Sequence, residues 1–235
     1  MPGIVTGGQS NRLIESLSRK DRKRMLQSCE SVDLVFGEIL CEPRRRVRHA
    51  YFPLTGFISL VSTIAHHPPL EMGLIGSEGM LGATLVLGIN TAPLRAVVQG
   101  KGTALRITAL QLRRQLRDCP SLPDTLQRCL YVLMGQLAKA TACNHFHKLE
   151  PRLARWLLMT HDRAHGDHFH LTHEYLAGML GVRRSGITVA AGSLQRRNFI
   201  HYARGEITIL DRKGLETACC ACYEGATEDY AHLLK

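Results

Sequence analysis

The spacing of hydrophobic positions along the chain changes character twice. An amphipathic stretch that Asn11 can cap runs to about Cys29 and predicts a helix. Residues 32–107 instead carry short β-type runs separated by turn signals, and from Thr108 the apolar residues return to helical spacing. The predicted strands span 32–36, 51–52, 57–63, 72–75, 96–99 and 103–107. Several short strands at close spacing favour a small antiparallel roll or barrel.

A long helix is predicted between Asp124 and His147. Its apolar or small residues follow a 4-3-4-3 spacing at Leu126, Leu130, Leu133, Leu137 and Ala140. That spacing is a heptad seam, which can pair with the same helix of a second copy. An ordinary amphipathic helix lying on the roll is the alternative. Pro151 suits the first turn of a new helix, so the pattern places a domain boundary just before it.

The strongest local signal is a pair of short helices joined by a tight turn. Thr172 is an N-cap candidate for the first helix, and Gly181 suits the left-handed position that ends it. A second helix is predicted from about Arg184, with inward-facing Ile187, Ala191 and Leu194. This is the arrangement of a helix-turn-helix, whose second helix enters the major groove of DNA. A helical hairpin in a domain that does not bind DNA is the alternative.

The segment after the second helix argues against that alternative. Asn198 can terminate the helix, and residues 199–210 have the pattern of strand, turn and strand, with the turn at Arg204 and Gly205. A two-stranded hairpin directly after a recognition helix is a wing, and Arg204 at its tip is placed to contact phosphate. Helix, turn, helix and wing together are a specific signal.

Charge agrees with a polyanionic partner. The formal net charge is +10, with +8 in residues 1–144, +5 in residues 145–215 and −3 from Glu216 onwards. Both large segments are therefore basic, as expected for a protein that binds DNA, although a basic protein without that role has the same composition. No run approaches eighteen apolar residues, and residues 1–11 lack the apolar stretch of a signal peptide. We therefore expect a cytoplasmic protein without a membrane partner.

With these features in place, the chain resembles the Crp/Fnr type of transcription regulator. The match is best over residues 149–223, through segments 152–159, 171–194 and 204–212, and looser in the front half, at 37–38, 51–53, 56 and 76–82. The resemblance implies an α+β protein of bacterial type. It consists of an antiparallel β-roll like a cyclic-nucleotide-binding domain (11–119), a long dimerisation helix and hinge (120–148) and a C-terminal winged helix-turn-helix (149–223).

The resemblance also implies which residues meet DNA. The base-reading positions fall on Arg184, Ser185 and Val189. Better-known members carry Glu at the second position and often Arg at the third, so the preferred sequence should differ here. An arginine at position 184 can grip guanine O6 and N7. The remaining predicted contacts are Thr172, Arg183, Thr188 and Arg204. A homodimer would read a near-palindrome in double-stranded DNA, with RNA polymerase as a further partner.

Cyclic AMP is disfavoured as the effector. The family's ribose-binding Gly-Glu pair corresponds to Gly82 and Ala83, which supply no carboxylate. Arg95 and Ala96 could stand where the cyclic phosphate is gripped. Gly82, Arg95 and Ala96 are therefore weak ligand candidates, and another effector, or none, is expected. No cofactor is predicted.

The cysteines and histidines do not predict a metal site. The eight cysteines are scattered, and only Cys29 and Cys41 lie in the first hundred residues, which disfavours an iron–sulfur cluster. Cys219, Cys220 and Cys222 contain one CxxC without a second pair. Packed thiols are the preferred interpretation, and a redox-active group or an adventitious metal binder is the alternative. The crowded histidines are expected to form a polar loop that gains charge below about pH 6.5, with metal binding as the alternative, at His161, His165, His168, His170 and His173.

Catalytic motifs are missing as well. His173 and Glu174 begin an HExxH pattern, but Ala177 stands where the second histidine must be. No nucleophilic triad or carboxylate pair stands out, so an enzyme is not predicted. The competing functional hypothesis is a small-molecule- or redox-sensing module that acts through a protein partner.

Overall fold

The computed structural model describes residues 10–164 and 166–224. Residues 1–9 and His165, which entered the predictions above, lie outside this range. The described chain begins with two short helices, α1 (Arg12–Glu15) and α2 (Arg19–Gln27). Asn11 caps α1, as predicted, by accepting a hydrogen bond from the Leu13 amide. The single helix predicted to run to Cys29 is interrupted, because Ser18 takes an extended conformation and caps α2.

An antiparallel roll follows and confirms the predicted strands. Its strands are β1 (Glu30–Leu34), β2 (Ile39–Cys41), β3 (His49–Pro53), β4 (Phe57–Ser62), β5 (Leu70–Ile75), β6 (Arg95–Gly100) and β7 (Gly102–Thr108). They form one sheet in the order β1-β7-β3 and another in the order β2-β6-β4-β5, with antiparallel pairing throughout. The short strand β2 was not predicted. A 3₁₀ helix, Ala83–Leu87, lies between β5 and β6.

Two helices follow the roll, α3 (Ala109–Asp118) and α4 (Ser121–Phe146). Thr108 and Gln111 form a capping box at the start of α3. The predicted seam on α4 has the wrong register. Leu126 and Ala140 are buried against their own chain, so they cannot pair with a second copy. The face of α4 that its own chain leaves exposed is one step further round and carries Gln127, Tyr131, Met134, Ala138 and Thr141.

The C-terminal part is a winged helix-turn-helix. Its elements are α5 (Leu149–Ala164), β8 (His168–His170), α6 (His173–Leu180), α7 (Arg184–Arg196), β9 (Ile200–Ala203), β10 (Glu206–Ile209) and α8 (Arg212–Ala218). The predicted hairpin is β9 and β10. Strand β8 was missed, and it completes a sheet in the order β8-β10-β9. Pro151 lies in the first turn of α5, as expected. The α+β fold class is therefore confirmed, whereas the domain limits at 119 and 148 stay predictions.

The roll and the C-terminal domain pack directly on each other. Phe57 and Leu74 of the roll belong to the same hydrophobic core as α5, α6 and α7. A buried ion pair joins Arg163 Nη2 to Glu78 Oε1 at 2.7 Å. The Trp156 indole donates to Glu71 at 2.7 Å. None of the helices in the described residues combines the length and apolar character needed to cross a bilayer.

Candidate nucleic-acid interface

The first helix of the motif, α6, has the ends that the sequence predicted. The Thr172 hydroxyl accepts a hydrogen bond from the Tyr175 amide at 3.1 Å, which satisfies one of the free amides of the first turn. Gly181 ends the helix with φ +64°, a left-handed conformation that favours glycine. Arg152 from α5 donates to the Leu180 carbonyl at 2.5 Å and so holds the end of α6 in place.

The second helix, α7, has one buried face and one exposed face. Ile187, Ala190, Ala191 and Leu194 are buried in the domain core. The predicted DNA-contacting residues are all exposed, namely Arg183, Arg184, Ser185, Thr188 and Val189. No acidic residue lies in the first turn, where the helix dipole already favours anions. The exposed face of α7 is therefore basic at its N-terminal end.

A glycine in the first turn of α7 has a packing reason. A Cβ atom built at Gly186 would lie 2.9 Å from Leu149 Cδ2. The start of α5 therefore crosses α7 closely at this point. The cost of glycine in a helix, about 1 kcal/mol relative to alanine, is offset by that contact.

His173 and Tyr202 join α6, α7 and the wing, and the sequence did not single them out for this role. His173 Nδ1 lies 3.0 Å from the Thr188 hydroxyl, which also donates to the Arg184 carbonyl. The His173 ring stacks on Tyr202 of β9, with centroids 4.1 Å apart. Burial lowers the pKa of His173, and the charge of Arg184 acts in the same direction. A neutral histidine here fixes the wing beside the N-terminal half of α7.

The wing presents Arg204 at its tip. Arg204 and Gly205 form the turn, with φ of +52° and +86°, and the Arg204 side chain is exposed. Asn198, which follows the last turn of α7, has φ +57°, as a helix-ending residue should. Six of the seven predicted DNA contacts thus lie in the turn between α6 and α7, on the exposed face of α7 or at the wing tip. The seventh, Thr172, is the N-cap of α6.

The histidines near the wing are paired rather than free. His168 and His170 lie on β8 and not in a loop, and they contact Glu206 of β10 at 2.9 and 2.6 Å. The hydrogen bond from His170 lowers the pKa of Glu206. His161 lies between Asp167 and Arg212, 2.6 Å from each. These contacts brace the outer strand of the wing.

A cavity of about 320 Å³ lies between the roll and α4. Gly82, one of the weak ligand candidates, lines this cavity. Arg95 and Ala96 are not among its lining residues: Arg95 Nε pairs with Glu42 Oε2 at 3.0 Å, and Ala96 is fully buried in β6. All three stay predictions. The cavity is also lined by residues that the sequence analysis did not single out as ligand candidates. They are Arg45, Arg46, Arg48 and His49 of the roll, and Leu130, Leu133 and Leu137 of α4.

The cysteine prediction needs a further correction. Cys220 and Cys222 lie together with Cys143 and His147, and the four possible ligand atoms are within 4.8 Å of one another. The sequence contains no second CxxC near this segment, because the other two residues of the group, Cys143 and His147, lie at the end of α4. Cys219 is not part of it, since its thiol donates to the Glu216 carbonyl.

Comparisons with known proteins agree with this geometry. Residues 151–218 match the family model of the Crp-like helix-turn-helix domain. No curated protein sequence matches the chain. FixK2 from Bradyrhizobium japonicum is 12% identical, with a TM-score of 0.68 over 82% of this chain and 98% of its own. A crp/fnr-family transcriptional regulator from Eubacterium rectale is 17% identical, with a TM-score of 0.69 over 88% and 96%. TTHA1359 from Thermus thermophilus, a regulator of the same family, is 21% identical, with a TM-score of 0.64 over 83% and 98%.

The two kinds of comparison reach different parts of the chain. The family model identifies the C-terminal domain from its sequence, whereas the solved structures share the fold of nearly the whole chain at low identity. Residues 151–218 are therefore a Crp-like helix-turn-helix domain, and the chain shares its overall fold with solved regulators of the crp/fnr family.

Proposed function

We propose that this protein is a homodimeric transcription regulator that reads a near-palindromic site in double-stranded DNA through α7. The observation that carries the proposal is the exposed, basic N-terminal face of a helix whose opposite face is fully buried. Arg184 is the base-reading residue, because its guanidinium can donate to O6 and N7 of one guanine. Arg183 and Arg204 contact the phosphate backbone on either side.

The geometry of the domain supports this assignment of roles. Arg184 is the first residue of α7, and in helix-turn-helix proteins the N-terminal residues of the second helix reach the base edges. Ser185 and Val189 are short, and Val189 is 71% exposed. A short apolar side chain can contact a thymine methyl group, whereas an arginine would hydrogen-bond a second guanine. The preferred site therefore differs from that of relatives with longer side chains there.

Dimerisation is supported by the uncovered face of α4. Tyr131 and Met134 are each 67% exposed on this helix, although both are large and apolar in character. A helix face of this kind is stable when it packs on the same face of a second copy. Two copies joined along α4 would present two α7 helices to successive major grooves.

The cavity under α4 supports control by an effector other than cyclic AMP. Cyclic AMP needs a carboxylate for its ribose hydroxyls. Glu42 is the acidic residue among those that line the cavity, and it is already paired with Arg95. The three arginines that line it, Arg45, Arg46 and Arg48, favour an anionic ligand. Leu130, Leu133 and Leu137 form its wall and lie on α4 beside the exposed stripe. A ligand that moves these leucines would change how two copies of α4 pack, and the regulator would then engage RNA polymerase differently.

A binding selection tests the proposal. The purified full chain is mixed with duplexes that carry a randomised centre, at one fixed salt concentration, and the bound DNA is sequenced. We expect an inverted repeat with half-site centres about 10–10.5 base pairs apart. Absence of any enriched sequence, with affinity insensitive to salt, would reject DNA binding and favour a module that acts through a protein partner.

A further inference from the structure

The thiol and imidazole group at the end of α4 has the composition of a metal site. It consists of Cys143 and His147 from α4 and its C-cap, and Cys220 and Cys222 from the segment after α8. Three sulfurs and one imidazole nitrogen are among the commonest ligand sets for structural zinc. Donors that are soft and few favour zinc over calcium or magnesium, which require oxygen ligands.

Local structure explains why these four side chains meet. Cys143 and His147 are four residues apart, and the His147 amide still donates to the Cys143 carbonyl at 3.1 Å, so both project from one side of the helix end. Cys220 and Cys222 lie just after the end of α8 and are separated by Ala221 alone. Tyr223 anchors this segment, because its hydroxyl donates to Asp162 at 2.9 Å and accepts from Arg212 at 2.6 Å.

The distances fit a tetrahedral ion. With zinc–sulfur bonds of about 2.3 Å, neighbouring ligand atoms in a tetrahedron are separated by about 3.8 Å. The Cys143 and Cys220 sulfurs are 3.5 Å apart, and Cys222 Sγ is 3.6 Å from His147 Nδ1. The four side chains therefore need only small adjustments to enclose one ion.

The group is accessible to an ion and lies near a positive charge. Cys143 and Cys220 are buried, while Cys222 and His147 are partly exposed, which leaves a path for an ion to enter. Three thiolates and a zinc ion carry a net charge of −1. The guanidinium of Arg155, a buried residue of α5, lies close enough to act electrostatically on all three thiols and would balance that charge.

We propose that Cys143, His147, Cys220 and Cys222 bind one zinc ion. The ion ties the end of α4, which the proposed dimer uses, to the end of the DNA-binding domain. It thereby fixes the hinge between the two parts of the regulator. The metal site itself does not depend on the proposed DNA binding, because it is defined by these four side chains alone.

The test is a zinc titration of the full chain, purified under reducing conditions and stripped of metal, against a chromogenic chelator. Wild type is expected to bind one zinc per chain. Cys220→Ser is expected to bind at least about 100-fold more weakly, since even outer partners of metal ligands contribute 10–100-fold to affinity. Cys219→Ser is the matched control and keeps wild-type affinity, because Cys219 lies next in sequence but outside the group.

A second pair of variants separates metal ligation from a packing defect. His147→Cys retains four donors and is expected to bind zinc, whereas His147→Ala is not. Zinc is also expected to raise the Tm of wild type and of Cys219→Ser, but not of Cys220→Ser, because only a folded site binds the ion. Cobalt should give the visible bands of a tetrahedral thiolate complex in the same proteins.

Several results would overturn the proposal. These are less than stoichiometric zinc in reduced wild type, equal affinity of Cys219→Ser and Cys220→Ser, a Cys143–Cys220 disulfide in the reduced preparation, or iron–sulfur absorbance in protein purified without oxygen. Each is read without DNA. A failure of DNA binding alone would therefore leave the zinc proposal intact, and a wild-type chain that binds no zinc could still select an inverted repeat.

Discussion

Helices α4 and α7 each have a face that the described residues leave uncovered, and the two faces have opposite chemistry. The face of α7 begins with Arg183 and Arg184 and has no acid in its first turn. The face of α4 carries Tyr131 and Met134, each 67% exposed. Exposure alone would not distinguish them. Their chemistry does, because a basic helix end suits a polyanion and an apolar stripe suits a second copy of the same helix.

The two helices also differ in what supports the exposed face. α7 is held within its own domain, because Ile187 and Leu194 are buried in that core, Leu149 packs against Gly186 and His173 lies beside Thr188. α4 lies on the roll along its length and forms the wall of the cavity through Leu133 and its neighbours. The exposed face of α7 is therefore supported from within its own domain, whereas the exposed face of α4 lies on a helix that also lines the cavity of the roll.

The largest effect is expected from Arg184→Ala, which tests the role of the α7 face. Loss of a bidentate guanine contact weakens each half-site by about 1–3 kcal/mol, so a dimer on the selected duplex loses about 2–6 kcal/mol. Fluorescence anisotropy at constant salt measures the loss. Arg196→Ala, which removes the same charge near the other end of α7, is the control and should lose far less. Equal losses for both variants would mean that α7 attracts DNA only by charge.

A somewhat smaller effect is expected from Met134→Glu, which tests the α4 face. A carboxylate in the centre of an apolar interface should weaken self-association by about 2 kcal/mol or more, or roughly 30-fold. Sedimentation equilibrium measures the dimer constant, and affinity for the inverted repeat should fall with it. Ile64→Glu introduces the same charge at a residue that is 66% exposed outside α4. A wild-type protein that is monomeric on DNA would contradict the pairing along α4.

Arg204→Ala should have a uniform and modest effect, which sharpens the distinction between base-reading and phosphate contacts. Removal of one phosphate contact per subunit lowers the slope of log affinity against log salt by about 1 per subunit. The preferred sequence should stay as in wild type. A changed base preference in a repeated selection would instead place the wing tip in a groove.

The smallest expected effect concerns the joint between the two regions. Burial raises the pKa of Glu71 to about 7, against the hydrogen bonds from Ser59 and Trp156. The folded state therefore keeps a proton that the unfolded state releases near pH 4. Glu71 contributes stability that is fully present below about pH 4 and is lost as the pH rises to about 7, on the order of 1–3 kcal/mol.

Glu71→Gln removes this pH dependence. Glutamine can still accept from the Trp156 indole, and the Ser59 hydroxyl can accept from its amide. Urea unfolding should show that the variant is more stable than wild type at about pH 8 and that the gap closes at about pH 5. Glu38→Gln, at an exposed carboxyl, is the control. A wild-type profile in the Glu71 variant would show that this carboxyl is charged in the folded protein.

The helix-turn-helix could be predicted because its signals are local. Thr172, Gly181 and Asn198 act through hydrogen bonds and dihedral angles within a few residues, so their roles follow from residue type and spacing. Six of the seven described strands of the roll followed in the same way from short β-type runs and turn signals. By contrast, β8 was missed because His168 and His170 have weak strand preference and are ordered by pairing with β10, more than thirty residues later.

The other differences also come from contacts distant in sequence. The heptad spacing at Leu126 and Ala140 is present, but both residues are buried within the chain, so periodicity alone could not show which face of α4 is exposed. The ion pair between Arg95 and Glu42 joins residues 53 positions apart, so the sequence did not predict it. The cluster of Cys143, His147, Cys220 and Cys222 joins residues up to 79 positions apart, so the spacing rules for a compact metal-binding motif do not identify it.

The insertion of α7 into the major groove can be tested most directly by dimethyl sulfate protection on the selected duplex, since this reagent reports on guanine N7. The account predicts two protected patches, one per half-site and about one helical turn apart. Within each patch, one guanine should become reactive again in the Arg184→Ala complex. Guanines that react as in free DNA while wild-type protein is bound would contradict it.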